Sequence, residues 1–166
     1  MTDPDSPTNG LVAIEAVRQL KYRYFRFLDG KRWDDLATCF TADATAAYDD
    51  GKYSFTGREA IIAFLRDALG SSDTVSMHHG HHPEITLVGS DRAEGIWLLE
   101  DYLIFRESGM RLHGGAIYRD RYARIAGDWK IAHTGYVRLF EEIAPQAESS
   151  RWKLTNFGAH LAPAHR

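Results

Sequence analysis

The stretch Arg92–Arg106 reads RAEGIWLLEDYLIFR. Its odd positions are Ala93, Gly95, Trp97, Leu99, Asp101, Leu103 and Phe105. That is an apolar face broken once, by a carboxylate, and a period of two marks a strand with one buried face. Three comparable runs surround it: Val75–Val88, Arg111–Ile125 and Trp129–Phe140. The links between the four are Gly89-Ser90-Asp91, Glu107-Ser108-Gly109 and Ala126-Gly127-Asp128. Links this short favour antiparallel neighbours.

Upstream the period changes. Leu11, Ile14, Val17, Leu20, Tyr24 and Leu28 recur at helical steps, and Gly30 reads as the stop. A short helix fits Trp33–Phe40, broken by Thr41-Ala42-Asp43. Thr45–Tyr48 and Tyr53–Thr56 flank Asp49-Asp50-Gly51-Lys52, a hairpin signal. A third helix starts near Gly57, carries Ile61, Ile62, Phe64, Leu65 and Leu69, and ends at Gly70-Ser71-Ser72-Asp73. Helices followed by strands predict an α+β fold, with helices on one face of a curved, mostly antiparallel sheet around a hollow. Residues 1–10 read as a disordered tail, 11–142 as one domain, and 143–166 as a C-terminal tail or lid.

At 166 residues, 44% hydrophobic and 26% charged, the chain has the balance of one globular domain, which excludes disorder over most of its length. A net charge of −3 without a basic run argues against a nucleic-acid partner. No apolar run reaches the length of a membrane span. The start, MTDPDSPTNG, lacks the layout of a secretion signal, and the expected compartment is cytoplasmic. Cys39 is the only cysteine, so neither an intrachain disulfide nor a thiol zinc cluster exists. There is no dinucleotide fingerprint, Walker-type loop or nucleophile elbow, so no cofactor is expected.

Five places break local rules, which is where functional groups concentrate. Asp29 puts a negative charge at the negative end of the first helix, as an Asp-Gly turn or a placed group. Tyr24 lies on the apolar stripe of that helix, and its hydroxyl needs a backbone or substrate partner. Met77-His78-His79-Gly80-His81-His82-Pro83 opens a strand, so His78 and His82 face one way, His79 and His81 the other. Each face then offers two imidazoles with no carboxylate nearby in sequence, too few for a metal; one inward histidine suffices as a proton carrier. Asp101 needs a buried partner or a task. Arg138 points away from Trp129, Ile131 and His133 by simple alternation, unless a bulge at Gly135 turns it. It serves a pocket, pairs with Asp101 or meets solvent. His133, on the Trp129 face, reads as a core histidine.

Taken together, Tyr24–Trp33, Ser76-Met77-His78, Gly80-His81, Pro83–Thr86, Leu99-Glu100-Asp101, Gly114-Gly115-Ala116 and Gly135–Arg138 resemble the SnoaL-like branch of the nuclear-transport-factor-2-like (NTF2-like) superfamily. That branch holds scytalone dehydratase, hexachlorocyclohexane dehydrochlorinase and bacterial bile-acid 7α-dehydratase. The bile-acid enzyme and scytalone dehydratase are the nearest. The resemblance implies a cone-shaped fold enclosing a pocket. It implies catalytic His78 held by Asp29, with Tyr24 as hydroxyl donor. It assigns substrate binding to Asp101, Arg138 and Tyr48, and Trp97 and Leu99 join them as apolar lining, with Leu103, Phe105 and Phe55. The implied activity is cofactor-independent dehydration or isomerisation of an apolar, ring-containing hydroxy-ketone, such as a steroid or polyketide-like compound, with no metal. Relatives of this kind assemble as homo-oligomers, trimers ahead of dimers. Alternatives within the fold are a non-catalytic small-molecule-binding module, a ring-hydroxylating dioxygenase small subunit, or an epoxide-opening hydrolase built on an Asp–Arg–Asp set. A histidine and aspartate in contact would separate the first reading from a mere binding module.

Overall fold

A computed structural model describes residues 7–146. The elements are α1 (Pro7–Asp29), α2 (Trp33–Ala37), β1 (Phe40–Tyr48), β2 (Tyr53–Thr56), α3 (Arg58–Leu69), β3 (Thr74–Leu87), β4 (Arg92–Phe105), β5 (Met110–Ile125) and β6 (Asp128–Pro145). They form an α+β fold in which the helices pack on a curved, unclosed, mixed sheet of order β2-β1-β6-β5-β4-β3. Only β1 and β6 run parallel; every other pairing is antiparallel. No helix among the described residues is long and apolar enough to cross a membrane. Most of the two segments expected as tails, residues 1–6 and 147–166, lies outside the described residues.

Several boundaries differ from the sequence expectation, each for a physical reason. α1 begins at Pro7 rather than Leu11, and Leu11 itself is 68% exposed. The buried stripe starts further in, at Val17, Leu20, Tyr24 and Leu28. The helix does not end on a left-handed Gly30. That conformation falls on Lys31, at φ 53°. Arg32 N–H donates to Phe27 O at 2.8 Å and Lys31 N–H to Leu28 O at 3.0 Å, closing a Schellman-type turn. A lysine is tolerated there because its Nζ donates to Ser71 O and, at 2.8 Å, to Thr74 O. Those bonds tie the end of α1 to the start of β3. α2 stops at Ala37 instead of Phe40, because Phe40 enters the parallel ladder opposite Ile131. β6 runs on to Pro145, paired with Met110.

Of the sheet's register breaks, two set the facing of residues expected at the site. In β3, pairing with β4 breaks between His81 and Glu84, and His82 takes φ 46°. His82 therefore does not share the face of His78, as simple alternation had it, but is exposed. In β6, Ile131 opposes Tyr122 while His133 opposes Arg121, so Ala132 is the extra residue. The bulge lies there and not at Gly135. Downstream of it Thr134 and Tyr136 turn inward with Arg138, while Val137 and Leu139 are exposed. His133 is thus off the Trp129 face, contrary to expectation; it sits 2.7 Å from Thr45 Oγ1, with its pKa lowered by partial burial and by Arg121.

The core gathers Val17, Leu20, Leu28, Leu36, Ile61, Trp97, Leu99 and Ile131. Inside it is a polar knot. Lys21 Nζ lies 2.8 Å from Asp120 Oδ2, both side chains fully covered. Tyr122 and Thr134 hydroxyls each donate to Asp120 at 2.8 Å, and Trp97 Nε1 donates to Tyr122 at 3.0 Å. The ammonium also sits 3.7 Å from the Tyr118 ring centroid. Burial lowers the Lys21 pKa, and Asp120 opposes that shift. Replacing Lys21 by Met leaves the Asp120 charge without its counter-ion. The expected loss is about 3–5 kcal/mol, read as a lower denaturant midpoint at unchanged slope.

Candidate active site

Asp29 is the last residue of α1, beside β3. Its carboxylate accepts from Ser76 Oγ at 2.8 Å, from the His78 backbone N–H at 2.8 Å, and meets His78 Nδ1 at 2.6 Å. These donors offset the unfavourable helix-end charge. An ionised carboxylate can only accept, so Nδ1 carries a ring proton, and in the neutral ring Nε2 keeps its lone pair. Nε2 has no partner among the described residues. The ring lies parallel to Phe25, at 9° and 6.4 Å between centroids. Phe25 reaches it because position 80 is glycine: a Cβ there would come within 2.5 Å of the Phe25 ring. An open groove of about 380 Å³ runs past Phe25, Asp29, Met77 and His78.

Across the sheet the register forms one inward row. His78 opposes Asp101, Asp101 opposes Gly114, and Gly114 opposes Glu141. Directly opposed residues carry their Cβ atoms on the same face, roughly 4.5–5.5 Å apart. Asp101 is 4% exposed, and Arg138 Nη1 donates to its Oδ1 at 2.6 Å. Arg138 reaches over Gly114, where a Cβ would lie 2.5 Å from both Arg138 Nη1 and Asp101 Oδ1. Glu141 Oε2 is 3.7 Å from Arg138 Nε on the other side. The guanidinium also lies 4.9 Å from the Tyr136 ring centroid.

Tyr24 and Tyr48 form a separate, deeper group. Both hydroxyls are buried and lack a well-aligned hydrogen-bond partner among the described residues. Burial pushes both phenols well above their usual pKa; the next largest contribution is Tyr118 for Tyr24 and Tyr24 for Tyr48. Tyr24 meets Phe25 edge-on at 5.3 Å, and Tyr48 lies 5.7 Å from Tyr136. Phe25 therefore touches both groups, and Tyr136 links Tyr48 to Arg138. Trp97 and Leu99 face inward as alternation predicts but are sealed in the core. Leu103 is also buried, Phe105 is partly exposed, and Phe55 stacks on Phe64 at 4.5 Å. Cys39 is buried, its thiol pushed up to about 11 by desolvation, and is no nucleophile.

Sequence reasoning did not single out the roles of Ser76, Phe25, Gly114, Tyr118 and Tyr136. Gly114 carried a usable signal, because glycine inside a strand marks close approach. Ser76 and Phe25 had none that separates them from ordinary strand and helix residues. Among the described residues one group of metal-competent side chains has converging donor atoms: His79, His81 and Glu100, on the opposite face of the sheet.

A model of the SnoaL-like domain family matches residues 10–135. Among solved structures, a scytalone dehydratase-like protein from Novosphingobium aromaticivorans is 18% identical, the match covering 89% of this chain and 100% of that one at a TM-score of 0.77. A type 3 hexachlorocyclohexane dehydrochlorinase from Novosphingobium barchaimii is also 18% identical, over 90% of this chain and 100% of that one, at a TM-score of 0.76. The Kfla4162 protein of Kribbella flavida is 19% identical over 80% and 95%, at a TM-score of 0.73. At these identities the likeness establishes the fold, which is NTF2-like.

The space over Gly114 predicts its own test. Gly114→Ala should force Arg138 and Asp101 apart and destabilise by about 1–3 kcal/mol. In an Asp101→Ala background the same change should cost measurably less, a coupling visible in a double-mutant cycle of unfolding free energies.

Proposed function

This chain belongs to the SnoaL-like domain family, and from that premise we propose that it is a cofactor-independent dehydratase or isomerase working by His78–Asp29 acid–base catalysis. The observation that carries this is the 2.6 Å contact between His78 Nδ1 and Asp29, with Nε2 unpartnered among the described residues. A non-catalytic binding module has no need of an imidazole oriented in this way. An orienting carboxylate fixes the tautomer and stabilises the imidazolium that forms on proton uptake.

The proposed substrate is an apolar, ring-containing hydroxy-ketone of steroid or polyketide-like kind. His78 Nε2 takes the proton next to the carbonyl. The electron pair left behind forms the carbon–carbon double bond as the β C–O bond breaks. The departing hydroxide takes the same proton from Nε2 and leaves as water, a syn elimination that returns His78 to its neutral form. Where no leaving group is present, the proton is returned to a different carbon and the reaction is an isomerisation. Tyr24 and Tyr48 are the candidate donors to the carbonyl oxygen. The two hydroxyls lie within hydrogen-bonding reach of one another, and a substrate oxygen would accept from the one whose proton is left over. Donors aimed at developing charge give the largest electrostatic gain. Arg138 and Asp101, opposite His78, orient a polar substituent.

A water-activating carboxylate–arginine–carboxylate set has weaker support. Glu141 is 3.7 Å from Arg138 and its side chain is 40% exposed, so water screens it.

Purified protein incubated with β-hydroxy-ketone steroids should generate a conjugated enone, followed by its ultraviolet absorbance. His78→Ala should lower the rate about 10²–10⁴-fold. Asp29→Asn should lower kcat with little change in KM, because it disturbs the base and not the binding surface. Turnover that survives intact in His78→Ala removes this mechanism.

A further inference from the structure

The face of the sheet turned away from the helices carries a second arrangement of titratable groups. His79 and His81 stand two residues apart on β3, so both project to the side opposite His78. Sequence offers this face two imidazoles and no carboxylate. The fold supplies one: Glu100 on β4 lies directly opposite His79 in the ladder. The nitrogen and oxygen donors of His79, His81 and Glu100 all fall within 4.8 Å of one another. Glu100 Oε2 is 3.5 Å from His81 Nε2, and Glu100 Oε1 is 3.0 Å from His113 Nε2 on β5.

We propose that His79, His81 and Glu100 form a site for a divalent transition-metal ion of the zinc, nickel or copper kind. Two imidazoles and one carboxylate are three ligands suited to such ions, with water in the fourth position. Metal–ligand bonds near 2.0–2.1 Å place tetrahedral donors roughly 3.3 Å apart, so the three side chains must close in. They can do so by side-chain rotation, since those of His81 and Glu100 are 39% and 51% exposed. His113 holds the second oxygen of Glu100, which orients the ligating carboxylate from behind. A bound ion would clip β3, an edge strand, to β4. Neither His78 nor Asp29 is among its ligands, although His79 and His81 edge the same groove as His78.

The test titrates zinc and nickel chloride into the full-length protein against a chromophoric chelator. The wild type should bind one ion per chain and gain thermal stability with metal concentration. His81→Asn and Glu100→Gln should each weaken binding at least tenfold, and His113→Asn by about 10-fold or less, as a ligand-orienting group does. His78→Asn should bind as the wild type does. No binding at millimolar metal, or binding that survives both His81→Asn and Glu100→Gln, overturns the proposal.

Discussion

One carboxylate joins the two halves of this molecule. Asp29 ends α1 with a charge in the wrong place for the helix dipole, and the edge strand answers it with a serine hydroxyl, a backbone amide and a ring nitrogen. Two residues on, Lys31 repeats the attachment from the other side of the turn by bonding Ser71 and Thr74 carbonyls. The junction thus works as a mechanical tie and as an orienting group at once. The helix cannot shift along β3 without breaking the contact that sets the His78 tautomer.

The remainder of the candidate site depends on register. Asp101 meets His78 because both sit at opposed positions of β3 and β4, and Arg138 meets Asp101 because Ala132 bulges and Gly114 leaves room. A shift of one residue would carry each of these groups to the opposite face. Bulges at special positions are designed features of sheets: the break after His81 takes His82 off the His78 face, and the extra residue at Ala132 brings Arg138 inside.

The sequence was informative where a periodic pattern was broken and silent where two distant segments had to agree. The apolar face of β4 and its single carboxylate were visible residue by residue, as were the helical stripe of α1 and the hairpin of β1 and β2. The destination of Arg138 was not, because it hangs on an extra residue at Ala132 that looks like any other alanine. The α2 boundary failed because Phe40 favours a helical continuation locally and a parallel ladder globally. Lys21 sits among apolar helix positions, and only its meeting with Asp120, far along the chain, explains why a full charge is kept there. The Tyr24 hydroxyl beside it reads as needing a partner, yet its depth in the fold is not legible from spacing.

The break in β3 at His82 and Pro83 has a further effect. An unclosed sheet exposes the outermost strand's amides and carbonyls to any extended peptide that drifts by, a standing invitation to uncontrolled polymer growth. Here that border is interrupted midway: the left-handed twist at His82 throws the backbone out of line, and Pro83 contributes no amide hydrogen. An incoming strand would find the Thr74 carbonyl and the His78 amide already bonded to the end of α1, and the border beyond His82 out of line with them, so strand addition is disfavoured along this edge.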